Sequence, residues 1–383
     1  MANKQLPEFL TAENNLDGQE PVYIAQGGKT RKTLLSKIKD FIIGTTALTT
    51  TDKTVTGSIE EINKKATDNA TQLNDLANPS ILINGDFRNP VNQRKTESIS
   101  STGTSVEGYF IDRWLCLVNG QGNSVVKNEG FISLIGKKGT SCSQFRQFVE
   151  FPKMYRGKNV AISFKYRVSK GSDKNNVRIY SNVKGIDNPW IFNDTLIPDG
   201  EWHIYNKILS IPNSDSITGF APIWISCINI DFNTLQESPL TEDCQIDVEW
   251  VKSEIGNKVT PFIPRPYGEE LALCKRYYEP LLHYKTFGVA ITDPTDGTIL
   301  SCSLEYSPKR ITPSITFGAQ DAFGIPVSSG AIASKSIAVL ESNIDRAQLQ
   351  VRLNGSTTPG QAFLLQRNDS SNDSSVYVDA EIY

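Results

Sequence analysis

Between Ile81 and about Gly256, apolar and polar residues alternate in short runs broken by turn residues, and no long helix can be drawn through the interval. A period of two sends successive side chains to opposite faces, so each run reads as a strand with one buried and one wet face. Ile162, Phe164, Tyr166 and Val168 alternate with Ser163, Lys165 and Arg167, and Ile246, Val248 and Trp250 alternate with Gln245, Asp247 and Glu249. Further runs fall at Ile81–Asn84, Phe110–Leu117, Phe131–Ile135, Ser143–Phe148, Val177–Tyr180, Trp202–Leu209 and Trp224–Ile230. Roughly nine short strands suit a two-sheet β-sandwich of jelly-roll type. Lys95 to Gly108, rich in Ser and Thr, reads as a long loop.

Pro261, Pro264 and Pro266 bar a regular ladder over the next seven residues. A short helix is expected over Gly268–Tyr278, with Glu269 and Glu270 at its start and Lys275 and Arg276 near its end, as the helix dipole favours. β patterning returns at Phe287–Ile291, Ile299–Leu304, Ile315–Gly318, Ile337–Leu340, Leu349–Leu353 and Ala362–Gln366. It closes on Val376, Val378, Ala380 and Ile382, which alternate with Tyr377, Asp379 and Glu381. The expected class is mainly β, a sandwich followed by a β tip.

Upstream the period changes. Val55, Ile59, Ile62, Ala66, Leu73 and Leu76, with Asn69 in the one remaining core position, form a heptad seam. Ser58 and Glu61 have capping-box spacing, which starts the helix near Ile59, and Asn78-Pro79 stops it. A seam so narrow is buried against copies of itself or against a neighbouring domain; the polar Asn69 and charged flanks favour copies of itself. Before it, a short strand at Val22–Ala25 and a Gly27-Gly28 turn precede a basic amphipathic helix from Thr33 to Ile43. Gly28-Lys29-Thr30 is not a phosphate loop, because the motif's first glycine would fall on Tyr23. The parts are therefore residues 1–50, an attachment segment; 51–79, a coiled-coil stalk; 80–260, the sandwich; 261–282, a proline hinge with helix; and 283–383, the tip.

Composition narrows the chemistry. Lys and Arg total 39 against 42 Asp and Glu, so no global positive field exists to hold nucleic acid. Only two histidines occur, His203 and His283, which excludes three-histidine metal sites and leaves one lone base for any nucleophilic triad. The six cysteines form no CxxC pair, so reduced buried thiols are expected and no metal or cofactor is assigned. The first thirty residues lack a secretion signal, and the longest apolar-leaning stretch, Gly219 to Ile230, falls far short of the roughly 20 residues of a membrane span, so membrane insertion is not expected. Asp112, Asp187, Asp194, Asp247 and Glu249 are carboxylates that a glycan-cleaving enzyme could pair, yet no spacing singles out an acid and a nucleophile, so no catalytic residue is assigned.

Sugar binding needs a flat aromatic face and a few amide or carboxylate groups. Trp190, in a turn-like Asp187-Asn188-Pro189-Trp190 segment with Asn193 and Asp194 close behind, is the best candidate. Trp114, Trp202, Trp224 and Trp250 lie inside strand patterns and read as core. In the tip, Asn354, Arg367, Asn368 and Asn372 lie in polar turns.

Four passages resemble the tail fibre or receptor-binding proteins of tailed bacteriophages and the fibres of phage-tail-like bacteriocins. DKTVTGSIEEIN (52–63) is similar to the entry into their coiled stalk, and NGDFRNPVNQR (84–94) with Ile111-Asp112-Arg113-Trp114 to the opening of their carbohydrate-module-like sandwich. FIPRPYGEELALCKRYYE (262–279) is similar to the junction closing such a sandwich, and RITPSIT (310–316) with the closing VYVDAEIY to the β tip. The resemblance implies a homotrimer, made in the host cytoplasm and carried on the virion tail. Its N-terminal segment would dock on a baseplate or tail protein, and its β domains would bind a host cell-surface polysaccharide. A glycan-cleaving fibre and a structural spacer that binds no sugar are the alternatives.

Overall fold

The computed structural model describes residues 19, 21–26, 29–34, 37, 51, 55–75, 78–231, 234, 236–281, 286–328, 330–367 and 375–382. The chain splits into two compact units, 1–76 and 77–383.

In the first unit, β1 (Pro21–Gln26) pairs antiparallel with β2 (Lys29–Leu34), with Gln26 opposite Lys29. Lys29, Arg31 and Lys32 therefore sit on a strand, and Thr33 and Leu34 belong to it rather than to a helix. The remainder of the expected amphipathic helix, apart from Lys37, lies outside the described residues. Helix α1 spans Val55–Asp75, one turn longer at its start than capping-box spacing predicts, and Glu61 accepts a hydrogen bond from the Thr51 amide at 2.7 Å. Ile59 is 54% and Ile62 57% exposed, and Ala66 and Asn69 also face solvent. Leu76 lies outside the described residues.

The second unit opens with two antiparallel sheets. One runs in spatial order β11 (Trp190–Thr195), β10 (Val177–Lys184), β13 (Gly219–Asp231), β8 (Cys142–Arg146), β5 (Trp114–Asn119) and β4 (Val106–Ile111), with β14 (Gln236–Ser238) added on β13. The other runs β12 (Trp202–Ser210), β9 (Asn159–Lys170), β15 (Cys244–Ile255), β7 (Ile132–Gly136), β6 (Ser124–Lys127) and β3 (Ser98–Ser100). Their inner faces share one apolar core, centred on Trp114 against Phe87 and Phe145 with ring centroids 5.2 and 4.8 Å away. The long loop expected at 95–108 contributes β3 and the start of β4. The expected strand Phe110–Leu117 is two strands, because Arg113 at φ 73° turns the chain between them.

The NGDF passage fastens this core. Asn84, at φ 60°, accepts from the Val91 amide at 2.8 Å and donates to the Val91 and Asp112 carbonyls at 2.8 and 2.9 Å, while its own carbonyl accepts the Trp114 indole N–H at 2.7 Å. Asn tolerates this left-handed conformation better than most residues because its side chain hydrogen-bonds locally. A bulge between Val248 and Trp250 breaks the alternation that β15 shows in sequence. Val251 turns inward, and Trp250 instead stacks on Phe262 of the proline segment, centroids 4.7 Å apart and rings 2° from parallel.

Helix α2 (Tyr267–Lys275) ends earlier than expected because Tyr278 enters β16 (Tyr278–Leu281). The tip is a closed barrel, β17 (Thr286–Thr292), β18 (Ile299–Glu305), β22 (Arg346–Leu353), β21 (Gly330–Ser342), β20 (Phe323–Val327) and β23 (Ala362–Arg367). Beside it lies a small sheet of β16, β24 (Val376–Asp379) and β19 (Ser314–Phe317). Charge and aromatic faces hold this sheet to the sandwich. Glu381 is 4% exposed and pairs with Arg113 and with Arg94 at 3.2 Å, while the two guanidinium groups lie 3.7 Å over the rings of Tyr277 and Tyr278.

Asp112 lies in the same seam, accepting from the Gln93 amide at 2.6 Å and side chain at 3.1 Å. Burial pushes its carboxyl up to about 6, against hydrogen bonds from Gln93 and the charge of Arg94. A folded-state value above the unfolded one means the native state holds the proton more tightly, so this contribution is complete below pH 4 and lost as pH rises through 6. The stability of Asp112→Asn, followed by urea unfolding, is expected to gain about 2–3 kcal/mol relative to wild type between pH 4 and 7. Parallel profiles would show that Asp112 is ionised throughout.

Candidate functional site

Outward-facing residues of the seven-stranded sheet line up in cross-strand rows. One row reads Asn193, Tyr180, Trp224, Arg146 and Leu115, each directly opposite the next on adjacent strands. The neighbouring row reads Thr195, Arg178, Ser226, Gln144, Leu117 and Glu107. Opposed side chains in a sheet stand about 5 Å apart, close enough to form a continuous surface.

Trp190 joins this surface from the edge. Asn188 accepts a hydrogen bond from its amide at 3.3 Å, and the Val183 amide donates to Pro189 at 2.8 Å, which closes the turn that delivers the indole. Its ring lies 5.0 Å from Tyr180 and 5.5 Å from Trp224, both edge-on, while Tyr180 and Trp224 are 5.1 Å apart. Trp190 and Trp224 are half-buried, whereas Tyr180 is covered; the Trp224 ring stands between Tyr180 and the Arg146 guanidinium, which lies 4.2 Å over it. Gln144 holds the floor together by accepting hydrogen bonds from the Trp224 indole and, at 3.2 Å, from the Tyr180 hydroxyl. Burial pushes the Tyr180 phenol far up, so it remains a neutral hydrogen-bonding group.

Gly185, at φ +90°, lets the chain turn ahead of Trp190, and a Cβ there would lie 2.0 Å from the Ser216 carbonyl oxygen. Gly185→Ala is therefore expected to cost roughly 2 kcal/mol in urea unfolding and to broaden the Trp190 indole resonance. An unchanged unfolding midpoint would show that the turn tolerates a side chain.

The sequence-predicted trio is divided by the sheet. Trp190 and Asn193 share the outer surface, whereas Asp194 lies half-buried opposite Ile179, on the inner face, and accepts the Tyr205 hydroxyl at 3.0 Å. Trp190 is the first residue of β11 rather than part of a turn. Trp202 and Trp224, expected in the core with Trp114, are half-buried on the outer faces of the two sheets. Sequence reasoning missed Trp224, Tyr180, Gln144 and Arg146. The parity of β13 carries their trace: Ile223, Ile225 and Cys227 take the core positions, leaving Trp224 and Ser226 on the other face.

A cleft of about 460 Å³ adjoins this floor, lined by Asn193, Arg178, Asn175, Asp173, Asn229 and Asp231 among others. It supplies the amides and carboxylates that hydrogen-bond sugar hydroxyls beside an aromatic plane. A cleft of about 530 Å³ on the barrel is lined by Val289, Ile291, Ser301 and Arg346 among others and contains no aromatic ring. On the outer face of the six-stranded sheet, Trp202 lies near Lys165 and Arg167, but those cations pair with Glu249 at 2.6 Å and Asp247 at 2.7 Å.

The carboxylates weighed for catalysis are dispersed in their roles. Asp112 sits in the seam with the tip, Asp247 and Glu249 pair with cations, Asp194 holds Tyr205 and Asp187 is exposed on a turn. His203 pairs with Asp199 at 2.8 Å, and His283 lies outside the described residues. Among the described residues no group of three His, Cys, Asp or Glu side chains could hold a metal ion, and no helix is long and apolar enough to cross a membrane. In the tip, Asn354 donates to the Ser334 carbonyl at 3.5 Å; Asn368 and Asn372 lie outside the described residues.

No family model and no curated protein matches the chain. Among solved structures it is similar to the tripod from the baseplate of bacteriophage Tuc2009, at TM-score 0.30 and 14% identity, covering 60% of this chain and 85% of that one. It is also similar to the N-terminal CBM22 tandem domain of Paenibacillus barcinonensis Xyn10C, at TM-score 0.26 and 7% identity, covering 80% and 96%. A third is a structure of botulinum neurotoxin type C, whose cell entry depends on two ganglioside molecules, at TM-score 0.23 and 10% identity, covering 78% and 97%. At these scores the similarities carry no argument about activity. The two-sheet antiparallel sandwich stands on its own strand pairing.

Proposed function

We propose that the protein is a phage tail fibre or receptor-binding protein that attaches the virion to a host cell-surface glycan. The observation that carries the reading is the half-open floor of Trp190 and Trp224 over Tyr180, continuous with the polar cleft at Asn193. Indole faces cover the apolar side of a pyranose, and the cleft's amides and carboxylates meet its hydroxyls. Binding leaves the sugar unchanged in this account, so the protein is an adhesin and not an enzyme.

The sequence resemblance to fibres supplies the rest: an N-terminal segment docked on a baseplate or tail protein, and three chains joined through a coiled coil. Supporting this, the seam residues Ile59 and Ile62 stand in solvent in the single chain. Three weak sites at fixed spacing would gain avidity without any new contact. Light scattering is expected to give three times 42.4 kDa for the full chain, and loss of the trimer for a chain beginning at Pro79. A full-length monomer at micromolar concentration would remove the coiled coil from the account. Retention of the full chain on immobilised bacterial surface polysaccharide tests the adhesion itself, and failure to bind any would overturn it.

A further inference from the structure

The sugar-binding floor contains one cation whose hydrogen-bonding capacity is left open. Arg146 is 8% exposed, and its guanidinium lies 4.2 Å over the Trp224 ring, directly across the strand pair from it. Its Nη2 pairs with Glu107, but Nε and Nη1 have no hydrogen-bond partner among the described residues. A buried guanidinium with unmade N–H bonds is costly, and most native side chains avoid it. Arg94 and Arg113 each have a buried Nε without a partner, and both are taken up in the seam with the tip. Arg146 instead stands beside the aromatic floor, and the Glu107 that meets it is half exposed.

We infer that this surface selects glycans carrying an anionic group, a carboxylate or a phosphate, placed next to a pyranose face. This rests on the sugar-binding reading above and names its ligand class. The Glu107 carboxylate occupies the anion's place in the free protein. An arriving anion exchanges with it, and Glu107, already half in solvent, swings out. The planar fork of Arg146 then takes the ligand's oxygens through two parallel N–H bonds, while the sugar ring packs against the solvent-exposed parts of the Trp190 and Trp224 indoles. Lys cannot reproduce that fork, because an ammonium is a point charge.

The test is an array of immobilised oligosaccharides in which each neutral glycan stands beside its uronic acid and sugar phosphate twins, probed with the full-length chain. Wild type is expected to prefer one acidic series over its neutral twin by at least tenfold, and whether the uronic acids or the phosphates win identifies the anion. Raising ionic strength should shrink that preference. Arg146→Lys should reduce it severalfold and Arg146→Gln should abolish it. Glu107→Gln, a change at a half-exposed position, should strengthen acidic binding by removing the internal competitor, and it keeps the test open if the Arg146 variants do not fold. Equal binding of acidic and neutral twins by wild type would overturn this inference and leave the sugar-binding reading intact. Absence of binding to every glycan would overturn both.

Discussion

Glu381→Ala is expected to destabilise the 77–383 unit by about 3–5 kcal/mol, because it strands the buried Arg113 without its carboxylate and takes from the half-buried Arg94 the nearer of its two partners. Glu381 lies 268 residues from Arg113 in sequence, yet it pairs with the Arg113 guanidinium and also accepts from its backbone amide at 3.3 Å. Arg94 reaches the same carboxylate at 3.2 Å. Either side of it the chain is held by Arg310, which donates to the Ala380 carbonyl at 2.6 Å and the Glu381 carbonyl at 3.1 Å, and by the Tyr109 hydroxyl, which donates to Ile382. Loss of the carboxylate therefore loosens the C-terminal residues from the sandwich as well as exposing a charge imbalance. Urea unfolding would register it as a lower midpoint. Replacing Arg113 and Glu381 together by Met and Leu should recover much of the loss, since a buried pair contributes less than the cost of breaking it. A change below 1 kcal/mol for Glu381→Ala would mean that the seam is solvated.

The second large effect concerns binding. Trp224 touches four members of the proposed site: the rings of Trp190 and Tyr180, the Arg146 guanidinium over its own ring and Gln144 at its indole nitrogen. Trp224→Ala is expected to weaken glycan binding by about thirtyfold or more, the loss of roughly 2 kcal/mol that an aromatic anchor carries. Trp190→Ala should cost about tenfold, because it removes one wall and leaves the floor. Both rings are half-buried on an outer face, so far-ultraviolet circular dichroism should stay unchanged. Trp114→Ala is the contrast: its indole is fully buried at the centre of the core and its loss should destabilise by about 3–5 kcal/mol. An effect on binding without loss of structure thus separates the two kinds of tryptophan.

Those tryptophans also show how far the sequence could be read. Period-two alternation found the β class and most strands, since inward positions such as Ile162, Phe164 and Tyr166 need only a local pattern. The bulges at Ser181/Asn182 and Val248/Trp250 reset that pattern without a residue-level sign, and so Trp250 left the core face unannounced. Arg113 hid a turn inside an apolar run because a left-handed φ at arginine is uncommon. The site was legible only at Trp190 and Asn193. Its other members come from strands whose register is set by the fold, as when Trp224 is brought opposite Arg146 and Tyr180 beside Asn193. The junction passage 262–279 was legible as a motif but not as a clamp. Arg265 pairs with Glu270 inside the passage at 3.2 Å and donates to the Leu82 carbonyl at 3.1 Å, and Arg276 pairs with Glu150 at 2.6 Å, so the last two contacts tie the passage to the sandwich domain.

Sugar binding is proposed for the outer face of the seven-stranded sheet. Its most direct test is isothermal titration of the full chain, and of a Trp190→Ala/Trp224→Ala double variant, with oligosaccharide fragments of the bacterial surface polysaccharide that retains wild type. Saturable binding is expected of wild type, and none measurable of a double variant with native circular dichroism. Equal affinity of the two proteins for the same fragments would contradict it and move the receptor site elsewhere on the molecule.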